Sequence, residues 1–427
     1  MVTRDLKTLF LERCGDSRLN TSYPLSPSDW AAFRVDGPLP FDERTLSFYI
    51  HIPFCRRLCT FCEYTRTTCP SIEAQKHYVH VLRSDIFAWM SAHPGFELKG
   101  FDIGGGTPTS MDGEAFRDLM DLFSQITESV PLSSDFEPSI EGTFQTIDEE
   151  KLRAISDAGI ERVSLGLQAA SMDVLKKVSR DHLALKEAMA VRRLIRDSGI
   201  HKLNIDLMYG LPGKRASDAL TDLHWIEELA PEQVTLYEFR PNMLSGEDYP
   251  HADERYEQYC ILFDGLQTLG YAGLFGANTF SLDGADLGVS SYLRSRMCDG
   301  VPYKGFGVSA QSMSAAGVSY NTGKGAKNLS GILGQGSLPE EYTYRLPREE
   351  LLAKYICISA YYGRFSLTTA SSILGRDYMK DRMGILRFLQ KENLISIHDG
   401  LVSITREGFR HYGAVFSFLY GKDVVVQ

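Results

Sequence analysis

The stretch LSFYIHIPFCRRLCTFC (46–62) is an apolar, strand-like run followed directly by three cysteines in a C-x3-C-x2-C spacing. The chain has eight cysteines, and three of them, Cys55, Cys59 and Cys62, fall in this short segment. Three thiolates so close together can hold a metal centre or form disulfides, or their spacing can be accidental. The rest of the sequence has to distinguish these alternatives.

Composition and charge set the broad class of the protein. The chain has 427 residues, of which 43% are hydrophobic and 23% charged, as in an ordinary globular protein with one large and one smaller domain. A net charge of −10 argues against binding of nucleic acid. Neither a secretion signal nor an apolar run of about twenty residues is apparent, so we predict a cytoplasmic protein without a membrane span. Cytoplasmic thiols stay reduced, which disfavours disulfides.

Short apolar runs alternate with helical patterns from residue 46 to about residue 240. The predicted strands are 46–52, 98–105, 138–144, 162–168, 202–211 and 233–239. Strand–helix alternation with right-handed crossovers gives a parallel sheet. Six such units predict an α/β fold, a partial (β/α)6 TIM-like barrel, in which the chemistry lies at the carboxyl ends of the strands.

Polar and glycine-rich signals occur at that same end of every predicted strand. They are, in order, the cysteines, GGGTPT (104–109), Glu141, Gln168, DLMYGLPG (206–213) and YEFRP (237–241). Since the carboxyl ends of parallel strands meet at one end of a barrel, these signals predict one shared pocket.

Four segments are predicted along the chain. They are an N-terminal extension (1–45), the barrel core (46–245), barrel completion with substrate-side loops (246–335) and a mostly helical, winged-helix-like C-terminal domain (336–427). Within the last segment, ISIHDGLVSIT (395–405) predicts a hairpin that turns at Asp399-Gly400. A DNA-binding winged helix needs a basic recognition helix, and LTTASSILG (367–375) has none, so we predict a lid or docking domain.

The type of metal centre follows from what accompanies the cysteines. Zinc usually has four protein ligands in structural sites, but the sequence has no second C-x2-C pair and no H-x3–5-H motif. An iron–sulfur cluster held by three cysteines leaves one iron open for chemistry. Cys69 is near enough to be a fourth ligand, but a loop thiol is the simpler interpretation.

Several motifs together carry a family resemblance. YIHIPFCRRLCTFCEY (49–64), GGGTPT, RVSLGLQ (162–168), NIDLMYGLPG (204–213) and FGVSA (306–310) resemble the radical SAM superfamily, and within it the HemN-like group typified by oxygen-independent coproporphyrinogen III dehydrogenase. The resemblance implies that the three cysteines ligate a [4Fe–4S] cluster whose open iron binds S-adenosylmethionine (SAM). It also implies a set of SAM contacts: Tyr49, Phe61, Gly105, Gly106, Thr107, Glu141, Gln168, Arg180 and Asp206. A carboxylate suits the ammonium or ribose hydroxyls of SAM, and an arginine suits its carboxylate.

The reaction is less well defined than the cofactors. The porphyrinogen dehydrogenases carry Gly-Cys after the third cysteine, where this chain has Glu63-Tyr64, and they also differ at Glu238 and Gln311. The haem-trafficking relatives would be expected to show a haem-ligand signal, which the ten histidines lack. By elimination we predict a class C radical SAM methyltransferase that binds one or two SAM molecules. Its candidate catalytic residues are Tyr237, Glu238 and Gln311.

The expected acceptor of the methyl group is an sp2 carbon of an aromatic ring or quinone, with C8 of menaquinone as the leading candidate. Oxidative decarboxylation of a tetrapyrrole of the coproporphyrinogen III type, and non-catalytic delivery of haem or another cofactor, are the alternatives. An electron donor such as flavodoxin or ferredoxin is expected as a partner. The prediction leaves room for peripheral contact with a membrane.

Overall fold

The computed structural model describes residues 5–14, 16, 19, 22–240, 249–326 and 328–421. The predicted boundary at residue 245 falls within 241–248 and therefore lies outside the described residues. The strands up to residue 240 are β1 (Arg34–Val35), β2 (Thr45–Ile52), β3 (Phe54–Cys55), β4 (Thr67–Thr68), β5 (Glu97–Gly105), β6 (Ser139–Gly142), β7 (Arg162–Gln168), β8 (Lys202–Tyr209) and β9 (Gln233–Glu238).

Six of these strands form the parallel core of the fold. They lie side by side in the order β2-β5-β6-β7-β8-β9 and pair in parallel throughout. They coincide with the six predicted strands to within two residues at each end. Their side chains are largely buried on both faces, as expected for parallel strands covered by helices. The predicted α/β partial barrel is confirmed.

Helices connect these strands and cover the outer face of the sheet. The helices of residues 6–268 are α1 (Leu6–Cys14), α2 (Ile72–Ala92), α3 (Gly113–Glu128), α4 (Glu149–Asp157), α5 (Met172–Lys177), α6 (Leu185–Asp197), α7 (Ala216–Leu229) and α8 (Ala252–Thr268). At the start of α2 the Ser71 side chain accepts the backbone N–H of Ala74, and at the start of α4 the Asp148 side chain accepts the backbone N–H of Lys151. These two caps define the first residues of α2 and α4.

An antiparallel segment extends the sheet beyond β2. Its elements are α9 (Ser291–Arg294), β11 (Tyr303–Phe306), β12 (Gln311–Ser314), β13 (Gly317–Asn321), α10 (Ser330–Leu333) and β14 (Glu340–Arg345), whereas β10 (Thr279–Ser281) pairs antiparallel with β9 at the other end of the sheet. The full strand order is β1-β14-β13-β12-β11-β2-β5-β6-β7-β8-β9-β10, with β11 parallel to β2. The outermost strands β1 and β10 lie at opposite ends of this order, so the barrel is open.

The C-terminal part has its own hydrophobic core. Its elements are α11 (Arg348–Ser359), β15 (Arg364–Ser366), α12 (Leu367–Leu374), α13 (Tyr378–Asp381), α14 (Met383–Lys391), β16 (Ile395–His398), β17 (Leu401–Ile404), α15 (Arg406–Arg410) and α16 (Tyr412–Tyr420). The predicted hairpin at Asp399-Gly400 is confirmed: both residues have positive φ, and β16 pairs antiparallel with β17. Phe10 of α1 joins this core, with its ring 5.6 Å from that of Phe418.

Strands on both sides of the predicted boundaries at 45 and 335 belong to the large sheet, since β1 pairs with β14. The division of the chain into four segments stays a prediction. No helix among the described residues combines the length and the apolar character that a membrane crossing requires.

Candidate functional site

A cavity of about 500 Å³ lies at the carboxyl ends of the parallel strands. Its wall includes the cysteine segment, the loop after β5 and residues of β6, β7, β8 and β9. The C-terminal part contributes Tyr361, Phe409 and Tyr412. The strand-end signals identified in the sequence therefore do meet in one place.

The three cysteines of the motif all line this cavity as free thiols. Cys55 and Cys59 are buried and Cys62 is half-buried. Burial raises the pKa of the Cys55 thiol to about 12. Among the described residues, no three His, Cys, Asp or Glu side chains are grouped as ligands of a single metal ion. Iron–sulfur clusters are ligated by cysteine thiolates, and the three free thiols in this wall fit that donor set.

Backbone hydrogen bonds join the cysteine segment to the glycine loop after β5. Gly106 N donates to Ile52 O at 2.8 Å, and Thr107 N donates to Phe54 O at 2.7 Å. The Thr107 hydroxyl lies 3.8 Å from the Cys55 sulfur. The two loops therefore form one continuous wall of the cavity.

Glycine is required where these loops meet. Gly105 has φ +111°, and a Cβ there would lie 2.5 Å from the His51 ring. A Cβ on Gly106 would lie 2.7 Å from Phe54 O. Real Cβ atoms do not approach other atoms so closely, so only glycine lets the backbone pass here.

His51 packs beside Gly105 and stabilises the place where these two loops meet. Its Nε2 is 2.7 Å from Thr65 O, and Tyr78 donates its hydroxyl to His51 O at 2.8 Å. Burial lowers the pKa of His51 to about 4, so the ring is neutral at pH 7. These contacts give His51 a packing role in the support of the site.

Two carboxyl groups face the cavity from neighbouring strands. Glu141 accepts the N–H of Gly105 at 3.1 Å, and Asp206 accepts from Asn204 at 2.8 Å and from Ser164 at 3.3 Å. Burial, together with repulsion from Asp206, raises the pKa of Glu141 to about 7. Burial raises the pKa of Asp206 to about 6. A cation bound between these carboxyl groups would favour their charged forms.

Two arginines, Arg180 and Arg66, lie close to Cys59. Arg180 Nη1 lies 3.6 Å from the Cys59 sulfur, and its Nη2 donates to Gly166 O at 2.5 Å. Arg66 donates to Cys59 O. The Nε atoms of both arginines are buried and have no hydrogen-bond partner in the part of the chain that the structure describes. Buried unpaired N–H groups are rare, and here they point to an anionic ligand such as a carboxylate.

Most of the residues predicted for the site line the cavity. They are Cys55, Cys59, Cys62, Phe61, Gly105, Gly106, Thr107, Glu141, Gln168, Arg180, Asp206, Tyr237 and Glu238. Tyr49 and Gln311 are absent from this wall. The Tyr49 ring stacks on Tyr292 at 5.7 Å, and the amide of Gln311 bonds to the hydroxyls of Tyr303 and Tyr320.

Glu238 is in the wall but is fully engaged. Arg255 Nε donates to one of its oxygens at 2.8 Å, and the Tyr412 hydroxyl donates to the other at 2.6 Å. These contacts give Glu238 a clear structural role. The predicted catalytic roles of Tyr237, Glu238 and Gln311 stay predictions.

Among the wall residues that were not singled out from the sequence are Arg240, Arg296, Tyr361 and Tyr412. Arg240 donates to the Tyr361 hydroxyl at 2.5 Å and to Ser22 Oγ at 2.6 Å. Arg240 could have been predicted from the sequence, because it belongs to the strand-end motif YEFRP. The other three belong to no motif and come from distant segments.

The sequence model described as "Radical SAM superfamily" matches residues 49–226. The heme chaperone HemW of Escherichia coli (strain K12) is 32% identical over 230 residues, which cover 53% of this chain and 60% of the relative. The oxygen-independent coproporphyrinogen III oxidase of Paracoccus denitrificans is 33% identical over 289 residues, covering 61% of this chain and 62% of the relative. The matched regions thus span less than two thirds of each of these relatives.

A solved structure, that of coproporphyrinogen III oxidase (HemN) from Escherichia coli, is similar with a TM-score of 0.72 and 22% sequence identity. The similarity covers 89% of this chain and 91% of that one, and it shows that the two folds agree. Residues 49–226 are therefore similar to the radical SAM superfamily, in a chain whose sequence is similar to coproporphyrinogen oxidases and to heme chaperones alike.

Proposed function

We propose that this chain is a radical SAM oxidase that acts on a carboxylate-bearing tetrapyrrole, in the manner of coproporphyrinogen oxidases. The relatives named above are oxidases and heme chaperones, and they favour this alternative over the predicted methyl transfer to menaquinone. The observation that carries the proposal is one cavity whose wall contains the three cysteines and, besides the arginines near the cysteines, Arg240 and Arg296.

The residues present fit the cofactors that the superfamily implies. Cys55, Cys59 and Cys62 would hold a [4Fe–4S] cluster, which when bound supplies the electron for reductive cleavage of SAM. Arg180 would bind the SAM carboxylate through its unpaired Nε–H. Glu141 and Asp206 would bind its ammonium or ribose hydroxyls.

The protein's own contribution is positioning and exclusion of water. Gly105 and Gly106 let the loop after β5 pack closely against the cysteine segment, so that both loops line the cavity in which SAM would bind. Aromatic side chains, Tyr237, Tyr361 and Phe409 among them, line the cavity and provide flat apolar surface for a macrocycle. The guanidinium groups of Arg240 and Arg296 supply the positive charge that carboxylate side arms need.

Heme delivery is the weaker alternative on the geometry. Among the lining residues that the structure describes there is no histidine, whereas Met208 and Met297 are present. Histidine is the usual protein ligand of haem iron, although methionine also serves. Tight binding of haem without catalytic turnover would nevertheless show that heme delivery is the function.

The test is an anaerobic reaction of the reconstituted chain with SAM, dithionite and coproporphyrinogen III. An oxidase releases CO2, 5′-deoxyadenosine and methionine and forms vinyl groups on the macrocycle. The reaction mixture also contains a one-electron acceptor, because the substrate radical left by hydrogen abstraction loses one electron as CO2 leaves. Deoxyadenosine together with S-adenosylhomocysteine and a methylated acceptor would show methyl transfer instead. Absence of deoxyadenosine with every acceptor would refute the oxidase assignment.

The matched variants are Cys59→Ala and Cys69→Ala. Cys69 bonds to Ser110 and is not in the cavity wall, so its variant is expected to retain iron, sulfide and activity. The Cys59 variant is expected to lose the cluster, seen as loss of iron, sulfide and visible absorption. Equal iron content in the two variants would contradict the ligand assignment.

A further inference from the structure

A second cavity of about 320 Å³ adjoins the first. The two share Arg296, Ile358 and Tyr361 in their walls, so only side chains separate them. The other residues that line the second cavity are Ser22, Tyr23, Pro24, Trp30, Tyr320, Lys324, Tyr344 and Lys354. This side cavity is not used by the SAM site described above.

The charges in the side cavity are all positive. Arg296, Lys324 and Lys354 line it, and the lining contains no carboxylate. Across the described ranges, no salt bridge to any of these three residues is formed. The nearby Glu350 instead accepts from the Tyr23 hydroxyl at 2.5 Å and from Trp30 Nε1 at 3.0 Å.

Both lysines of the side cavity have lowered pKa values. Lys354 is buried, and its ammonium donates to Tyr23 O at 2.7 Å. Burial, with repulsion from Arg296 and Lys324, lowers the pKa of Lys354 to about 7. Burial also lowers the pKa of Lys324 to about 8. An anion placed among these cations would offset both effects.

Arg296 stands at the junction of the two cavities. It lies in a π-helical turn, Ser295–Asp299, which continues α9, and such turns are often found at functional sites. Its guanidinium carbon is 4.7 Å from the centre of the Tyr303 ring, and its buried Nε has no hydrogen-bond partner in the described chain. The turn therefore holds a cation with an unused donor between the two spaces.

We propose that the side cavity binds one carboxylate side arm of the substrate whose ring system occupies the main cavity, with Arg296 at the junction, Lys354 inside and Lys324 at the exposed rim. This inference rests on the proposed function for the nature of the substrate. The side cavity itself, with its cations, is a feature of the structure whatever the reaction is.

The anion site can be tested without a tetrapyrrole. The full chain is treated with a trace of acetic anhydride near neutral pH, with and without millimolar glutarate, a short dicarboxylate. Acetylation of Lys324 and Lys354 is measured by mass spectrometry against Lys380, whose side chain is 80% exposed. Glutarate is expected to protect the first two lysines and to leave Lys380 unchanged. No protection would overturn the anion site, and stronger protection by inorganic phosphate would overturn its assignment to a carboxylate.

The link to the substrate is tested by fluorescence titration with coproporphyrin III, which carries four carboxylates. Lys354→Met and Lys324→Gln are each expected to weaken binding by about tenfold or more, since a hydrogen bond to a charged group is lost. Lys380→Gln is the control. Lys324 is exposed, so its variant keeps the test valid if the Lys354 variant does not fold.

The outcomes of the two arms are distinct. Unchanged coproporphyrin binding in both lysine variants would overturn the proposed role in holding a substrate arm. Protection by glutarate in a wild-type chain that does not bind coproporphyrin would refute the proposed function and leave the anion site standing. Protection combined with weakened porphyrin binding would support both.

Discussion

The raised pKa of Glu141 predicts that SAM binding, as proposed for this site, depends on pH. The carboxyl group has a pKa of about 7 in the unliganded site, because it is buried and repelled by Asp206. Asp102 adds to this repulsion, whereas the N–H of Gly105 and the charge of Arg162 oppose it. If SAM binds the ionised form, its apparent affinity scales with the ionised fraction, which rises as pH rises through 7.

The size of the effect follows from that pKa. The ionised fraction of a group with a pKa of about 7 increases roughly fivefold between about pH 6 and about pH 7, and less than twofold above that. We therefore expect the dissociation constant of SAM to fall about fivefold over the first interval. Asp206, with a pKa of about 6, adds a smaller change in the same direction.

The assay is anaerobic calorimetric titration of the reconstituted chain with SAM, without reductant, across this pH range. Glu141→Gln should bind SAM more weakly above pH 7 and should lose most of the pH dependence. Asp85→Asn is a matched control, because burial also raises the pKa of Asp85 but its carboxylate bonds to Leu338 N, outside the cavity. An equally steep pH dependence in the Glu141 variant would refute the reasoning.

One further prediction concerns the wall of the site, and another concerns a buried ion pair outside it. Gly106→Ala places a Cβ 2.7 Å from Phe54 O, so it should lower the free energy of unfolding by about 1–3 kcal/mol in urea titrations, whereas Gly331→Ala, with open space around its Cβ, should have little effect. Similar midpoints for the two variants would contradict the close approach. Asp222→Asn should destabilise by about 3–5 kcal/mol, because it leaves the fully buried ammonium of Lys214 without its ion pair. The double variant Asp222→Leu/Lys214→Met, which lacks both charges, should recover much of this stability in the same assay. If the double variant is no more stable than Asp222→Asn, the unpaired charge of Lys214 is not the cause of the destabilisation.

The sequence predicted the parts of the fold and site that depend on local pattern. The parallel strands are buried on both faces and so appear as apolar runs, and the hairpin turn depends on two adjacent residues that tolerate positive φ. The cysteines and the glycine loop are also contiguous motifs. These features were predicted at the right positions because each one is encoded within about ten residues.

The features that the sequence did not reveal depend on long-range packing. Tyr49 is turned towards Tyr292, and Gln311 is held by two tyrosines from the antiparallel strands, so neither reaches the cavity wall. Arg296 and Lys354 belong to helical turns that look ordinary in the sequence. Only the folded chain shows that they share a cavity.

The wall of the main cavity is assembled from segments that are far apart in the order of synthesis. More than three hundred residues separate Cys55 from Phe409 and Tyr412 along the chain. A ribosome must therefore translate more than three hundred further residues after the cysteines before the chamber can close. An iron–sulfur cluster inserted into a nascent chain would be exposed to water and oxidants, which favours loading of the cluster after translation has passed residue 412.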